Sequence, residues 1–392
     1  MGLTRWLRRR WVLLAAAVLL LASASVAGVL LLREPPAARG PVSTGAAHVE
    51  VEDNLLVDAR SGREFVPRGV NWSSFEYACT QGWGMSTLDT LVAVDAPSYE
   101  AEAIARWGAN TVRLPLNQDC WLGTRGAPMS DQNEARTASG YRTEVAGFVT
   151  ALNRAGLVVI IDLHSRKRIG EAEFGNLAMP DSESVAFWRS VAERFRDNPS
   201  VMFDAFNEPY SRYNERRQRW VFELTWKCWR DGGCRAPVAD DQTATVGRPT
   251  YLVQGMESLV DTIRDAGAGQ PVLLGGLDYA NDLSHWLEFR PDDDQLVAAF
   301  HSYDFKDCAD QACWDEVLGR LAASVPVVTS ELGATDPTAG YVEDYLAWAD
   351  ERGLGVVFWV WANHPTDPMS LLRDQGGKPT DYGRLARSWL SG

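Results

Sequence analysis

The chain has 392 residues, 46% of them apolar, and its 38 Lys+Arg against 52 Asp+Glu leave a formal net charge of −14. This length holds one large domain or two ordinary ones, with apolar residues enough for a substantial core. So acidic a chain argues against nucleic acid as a partner.

In chain order, Arg5, Arg8, Arg9 and Arg10 come first, followed by Trp11 to Leu32, a run of 22 residues without charge. At about 1.5 Å per residue this run spans roughly 33 Å, the thickness of a bilayer core. The basic flank predicts a cytoplasmic N-terminus and an exported body. Small residues at Ala22-Ser23-Ala24 and Ser25-Val26-Ala27 leave a cleavable signal peptide as the competing reading. The apolar run continues past both sites, which favours an uncleaved anchor. The expected localisation is therefore extracytoplasmic, either membrane-anchored in type II orientation or secreted.

Three parts are expected: the segment 1–32, a Pro-, Ala- and Gly-rich linker over 33–49, and a body over 50–392. The body opens with a short hairpin over 50–66, turning at Ser61-Gly62. Short apolar runs then recur at Gly69-Val70-Asn71-Trp72, Thr111 to Leu116, Leu157 to Leu163, Val201 to Phe206, Pro271 to Gly275, Leu296 to Phe300, Val325 to Thr329 and Gly355 to Trp361. Helix-period segments separate them: Tyr99 to Trp107, Gly140 to Ala155, Ser184 to Phe195, Tyr251 to Ala266, Asp282 to Leu287, Trp314 to Ala323, Tyr341 to Glu351 and Tyr382 to Leu390. Nearly continuous apolar strands alternating with amphipathic helices indicate a parallel sheet covered by helices. Eight repeats predict an α/β fold, a closed (β/α)8 TIM barrel behind a short N-terminal hairpin. The alternative is a doubly wound open sheet, but no Gly-rich phosphate loop follows the first strand.

There are six cysteines, an even number in an exported chain, which reads as disulfides. Local spacing pairs Cys228 with Cys234 and Cys308 with Cys313, leaving Cys79 for Cys120. A zinc site is the rival reading, and neither a C-x-x-C pair nor a close histidine supports it. All six fall in loops at the same rim, after strands one, two, four and six.

Polar and aromatic residues gather at that rim too. They are Asn71 and Trp72, Arg113, His164, Asn207 and Glu208, Asp278 and Tyr279, His301 and Tyr303, Glu331, and Trp359 and Trp361. A barrel keeps its chemistry at the C-terminal ends of its strands. Two glutamates in such positions suit glycoside cleavage, where one carboxylic acid protonates the leaving oxygen and a carboxylate attacks the anomeric carbon. The acid needs burial or a negative neighbour to hold its proton. An arginine favours the ionised form of the nucleophile, and a His or Tyr aims it. An Asn beside the acid can hold the sugar 2-hydroxyl, and tryptophan offers a flat face to a pyranose.

Taken together these residues resemble glycoside hydrolase family 5, the cellulase-like and mannanase-like enzymes of clan A, from Arg68-Gly69-Val70-Asn71 to Phe358-Trp359-Val360-Trp361. The most specific element is Phe206-Asn207-Glu208-Pro209. The resemblance implies Glu208 as acid/base, Asn207 as 2-hydroxyl ligand and Glu331 in Ser330-Glu331 as nucleophile. It also implies site roles for Arg113 in Val-Arg-Leu-Pro, His164 in Ile-Asp-Leu-His, His301 with Tyr303 in His-Ser-Tyr, and an aromatic at Trp361 or Trp359. Retention of anomeric configuration follows, with carboxyls about 5–5.5 Å apart. One departure is Ser165-Arg166-Lys167-Arg168 after His164, where cellulase-like members often carry Trp or Asn; these cations are either solvated or meet an acidic sugar or phosphate. A second feature, the long segment Tyr210 to Arg248, is expected to shape one side of the cleft.

The expected function is a retaining β-glycosidase hydrolysing an extracellular polysaccharide or glycoconjugate of β-glucan or mannan type. The expected partners are a carbohydrate substrate and, through the N-terminal segment if uncleaved, a membrane; a monomer without cofactor or metal is expected. The alternative is a catalytically silent glycan-binding surface module on the same barrel. A serine esterase or metalloprotease finds no G-x-S-x-G or H-E-x-x-H motif.

Overall fold

The computed structural model describes residues 45–81, 96–124, 126–127, 136–167, 174–214, 217–238, 250–337, 340–364 and 366–392. All of them belong to the compact unit Pro41–Gly392. The apolar run 11–32, most of the linker and Arg168 lie outside the described residues. Among the described residues no helix is long and apolar enough to cross a membrane.

Eight parallel strands close into a barrel: β1 Arg68–Asn71, β2 Thr111–Asn117, β3 Val158–Lys167, β4 Val201–Asp204, β5 Val272–Gly275, β6 Leu296–Tyr303, β7 Val327–Gly333 and β8 Gly355–Phe358. Each pairs with the next, and β8 pairs back onto β1 through Val356↔Arg68, Val357↔Gly69 and Phe358↔Val70. The expected (β/α)8 barrel is the observed fold. Its outer helices bury the faces that the sequence period marks. Ala138–Arg154 turns Tyr141, Val145, Phe148, Val149 and Leu152 inward, and Thr137 caps it by accepting from the Gly140 N–H. Ser182–Phe195 starts with a capping box between Asp181 and Ser184.

Element boundaries differ in instructive ways. Thr250–Leu252 is a strand paired with Arg235–Pro237, so the helix expected from Tyr251 begins at Met256. The segment expected as a helix from Asp282 contains only the short turn Trp286–Phe289. Strands β6 and β7 run further than their apolar stretches, so His301, Tyr303 and Glu331 stand inside strands rather than after them.

The N-terminal hairpin, Val49–Glu52 with Leu55–Asp58, takes a third short strand, Arg63–Glu64. Its Val49 and Leu56, with Ala46, pack against Val158, Ile160, Met202, Leu273, Val297, Ala299, Val328 and Val357. Those are the inward residues of the lower barrel, so the hairpin stops that end. Because side chains alternate along a strand, the inward set continues upward. Ile160 is followed by Asp162, Met202 by Asp204, and Ala299 by His301 and Tyr303. An apolar layer below thus gives way to a charged layer above.

Between β6 and β7 the register slips by one residue: Phe300 pairs with Thr329, but His301 pairs with Glu331. Continued alternation from Val328 would turn Ser330 inward. The extra residue re-aims the strand and delivers Glu331 instead.

All three disulfides form as the spacing indicates: Cys79–Cys120, Cys228–Cys234 and Cys308–Cys313, with Cα separations of 5.7, 5.8 and 5.4 Å.

Candidate active site

Arg113 stands at the centre of the charged layer, fully buried. Its Nη1 donates to Glu331 Oε1 at 2.8 Å and to Asn71 Oδ1 at 3.0 Å. Its Nη2 donates to Asn207 Oδ1 at 2.8 Å and lies 3.0 Å from Asp162 Oδ2, while Nε donates to Asp204 Oδ2 at 2.9 Å. Burial alone would lower its pKa; Asp162, Asp204 and Glu331 more than reverse this and hold it protonated. Asn71 is fixed in turn by donating to the Ser330 and Phe358 carbonyls.

Glu331 is held at both oxygens, since Tyr303 Oη donates to Oε2 at 2.5 Å. Burial, Glu331 and Glu208 push the Tyr303 phenol far up, so it stays a donor. Glu208 is held differently. His301 Nδ1 lies 2.9 Å from its Oε1, and the same nitrogen is 3.5 Å from Glu331 Oε2. The Glu208 side chain is 21% exposed against 4% for Glu331. Burial raises the Glu208 pKa, against the charges of Lys306, His164 and Arg113. His301 is pushed down to about 3 by burial, with Arg113 and His164 adding to the effect, so it is neutral.

His164 Nδ1 lies 2.7 Å from Asp162 Oδ2. Burial lowers the imidazole, but the Asp162 carboxylate beneath it wins and raises it to about 9. Its ring stacks on Trp359 at 5.5 Å with planes 5° apart. The structure therefore brings Asn71, Arg113, His164, Asn207, Glu208, His301, Tyr303, Glu331 and Trp359 to one place. Trp361 is not brought there: its side chain is 1% exposed and Nε1 donates to Glu100 Oε1 at 2.6 Å, under the helix layer. Trp72, at the first strand end, is buried and donates to the same oxygen. Arg166 is buried, with Nη1 3.5 Å from Asp181 Oδ2.

Sequence reasoning passed over Asp162 and Asp204, taking them as strand interior. The signal was a carboxylate inside each apolar run. Burial pushes Asp204 up to about 8 against the pull of Arg113. Glu76 was missed as well; it is buried, accepts from the Ser74 N–H at 2.9 Å, and burial raises its pKa against the charge of His164.

Among the described residues, Glu208, His301 and Glu331 form the one group with donor atoms close enough for a metal ion, all within 4.8 Å of one another. They do not fit one. Both Glu331 oxygens are already engaged, by Arg113 and Tyr303, and the positive charge of Arg113 stands against that carboxylate. The same closeness brings one oxygen of each carboxyl within 4.8 Å of the other.

Solved structures share this architecture. A β-glucanase from Saccharophagus degradans superposes with a TM-score of 0.65 at 20% identity, covering 91% of this chain and 96% of its own. The catalytic domain of an endoglucanase from Thermobifida fusca gives 0.60 at 15%, covering 88% and 97%. An endocellulase from Pyrococcus horikoshii gives 0.62 at 16%, covering 89% and 100%. At such identities these likenesses speak for the fold. The cellulase family model, glycosyl hydrolase family 5, matches residues 67–365, from the residue before β1 to beyond β8. By that match the chain is a member of glycosyl hydrolase family 5.

Proposed function

We propose that the protein is a retaining β-glycosidase hydrolysing a β-glucan or mannan type polysaccharide or glycoconjugate outside the cytoplasm. The observation that carries this reading is the unequal holding of two adjacent carboxyls. Glu331 is pinned at both oxygens by Arg113 and Tyr303, whereas Glu208 has His301 on one oxygen and faces the opening. The β-glucan side of the reading is supported by the similar structures, which include a β-glucanase bound to cellotetraose.

In the first step the Glu331 carboxylate attacks the anomeric carbon. The glycosidic bond breaks, and the leaving oxygen takes the proton of Glu208. His301 Nδ1 lies 2.9 Å from Glu208 Oε1; with its N–H there, neutral His301 would donate to that oxygen and leave Oε2 for the acid proton. A protonated His301 would add a positive charge beside Glu208 and strip that proton, which its burial prevents. In the second step Glu208, now a carboxylate, takes a proton from water. The hydroxyl bonds to the anomeric carbon, and Glu331 is released as carboxylate. Asn207, oriented by Arg113, faces the sugar 2-hydroxyl, and Trp359 offers the sugar an aromatic edge backed by His164.

Extracytoplasmic placement rests on the uncharged run 11–32 and on three disulfides, which persist in oxidising compartments. The deciding experiment is proton NMR of the first-formed product from a glucan, mannan, xylan and galactan panel. A β-anomer appearing before mutarotation is expected; a first-formed α-anomer, or no release from any polymer, overturns the reading.

A further inference from the structure

The loop after β5 carries three consecutive residues in the left-handed region: Asp278 at φ 48°, Tyr279 at 59° and Ala280 at 60°. None is glycine, and side chains rarely tolerate that region. Backbone held in such a state points to a task for the side chain it presents. The one presented here is Tyr279.

Three ties fix the loop. The Tyr279 N–H donates to the carbonyl of Pro209, the residue after Glu208, at 2.8 Å. Leu277 and Asp282 close the loop's base through two backbone bonds. Asn281 then joins this loop to the one after β6, donating to the His301 carbonyl at 2.9 Å and accepting from the Cys308 N–H at 2.9 Å. Cys308 is itself anchored by its disulfide to Cys313. The two loops are therefore tied to each other and to the residue after Glu208.

Between Tyr303 and Cys308 lies Lys306. Its Nζ sits 4.0 Å from the centre of the Tyr279 ring. The opposite face of that ring stacks on Tyr210 at 4.9 Å, planes 4° apart. Both faces of Tyr279 are occupied, so the ring is a seat for the cation and offers no free face to a sugar.

We propose that Lys306 is a positioning residue for the acid/base: seated on Tyr279, its ammonium is the counter-charge against which Glu208 gives up its proton and waits as a carboxylate. This rests on the glycosidase reading above. Glu208 is faced by His301 and Tyr303 from β6, Glu331 from β7, Arg113 from β2, and Asp162 and His164 from β3. Of the charges that favour its ionised form, Lys306 has the largest effect. Arg113 is engaged by Asp162, Asp204 and Glu331 and His164 by Asp162, whereas Lys306 is seated on the Tyr279 ring. Asp278, Asp304 and Asp307 flank it on its own and the neighbouring loop, with Asp304 taken up by Thr335, and Tyr279 seats the ammonium at 4.0 Å.

The test uses the full-length protein with Lys306→Met and Lys306→Arg. In Lys306→Met the alkaline limb of kcat/KM moves upward by about 1 pH unit, and Lys306→Arg restores it. kcat/KM falls for substrates whose leaving group needs a proton and holds for a dinitrophenyl glycoside, whose first step needs none. Carbon-13 NMR of the Glu208 carboxyl follows the same titration without turnover. An unmoved limb together with an unmoved Glu208 titration overturns the role of Lys306. A shifted Glu208 titration in a protein that cleaves no glycoside supports Lys306 and overturns only the glycosidase reading.

Discussion

Arg113 Nη1 donates to Glu331 Oε1 at 2.8 Å while the same guanidinium spreads over Asp162, Asp204, Asn71 and Asn207. One side chain thus organises Glu331, Asn207 and two buried acidic side chains. Only the planar fork of arginine reaches all of them. Arg113→Met is expected to leave those carboxyls without their cation and to destabilise the fold by about 3–5 kcal/mol. Arg113→Lys keeps the charge but not the fork and is expected to lower kcat far more than it lowers stability. Denaturant unfolding beside steady-state kinetics on both variants checks this.

The two glutamates make separable predictions. Glu208→Gln is expected to lower kcat by roughly 10²–10⁴-fold on substrates that need acid assistance. Glu331→Gln is expected to lose roughly 10⁴-fold or more on all substrates. Azide restores turnover to Glu331→Ala by attacking from the vacated side, giving a glycosyl azide of inverted configuration. With Glu208→Ala and an activated substrate the azide product has retained configuration. Product NMR distinguishes the two, and exchanged outcomes would reverse the roles.

The two histidines bind their protons in opposite senses. His164 is raised from 6.5 to about 9, so the stability it adds is complete below pH 6.5 and is lost as pH rises through 9. His301 is lowered from 6.5 to about 3, so its contribution is complete above pH 6.5 and is lost as pH falls through 3. The stability difference between wild type and His164→Gln is expected to shrink over pH 6.5–9. That between wild type and His301→Gln shrinks over pH 6.5–3. Each is on the order of 3–5 kcal/mol at full size. Urea unfolding across pH reads both, and parallel curves would refute the assignment.

Cys79–Cys120 joins the segments after β1 and β2 across 41 residues, whereas the other two bridges span 6 and 5. Loop-closure entropy predicts a loss of about 4 kcal/mol for Cys79→Ser with Cys120→Ser, and about 2 for either short bridge. Thermal unfolding of the three double variants gives the order.

Much of this was legible in the residues themselves. Strand number, the carboxyl pair and the cysteine pairing follow from apolar period and spacing, which are local properties. What escaped is set by register. Asp162 and Asp204 look like interruptions of apolar strands until β3 and β4 pair them as neighbours beneath Arg113. Trp359 and Trp361 are two apart in sequence, yet only Trp359 stands against His164; Trp361 has a buried acceptor, Glu100, 261 residues away that no local pattern announces. Glu331 reaches the barrel interior because one extra residue in β7 overrides alternation. The seat of Lys306 depends on a left-handed backbone at residues that carry no glycine.

The hairpin that packs Val49 and Leu56 into the foot of the barrel has a consequence for traffic. With that end filled by side chains, the charged layer has its opening at the rim where the strands end. In the reaction proposed above, the water of the second step, the proton it returns to Glu208 and the departing sugar would meet at that rim. Reloading of the acid is therefore tied to clearance of the leaving group, and a polymer that stays seated after cleavage delays the next proton as well as the next bond.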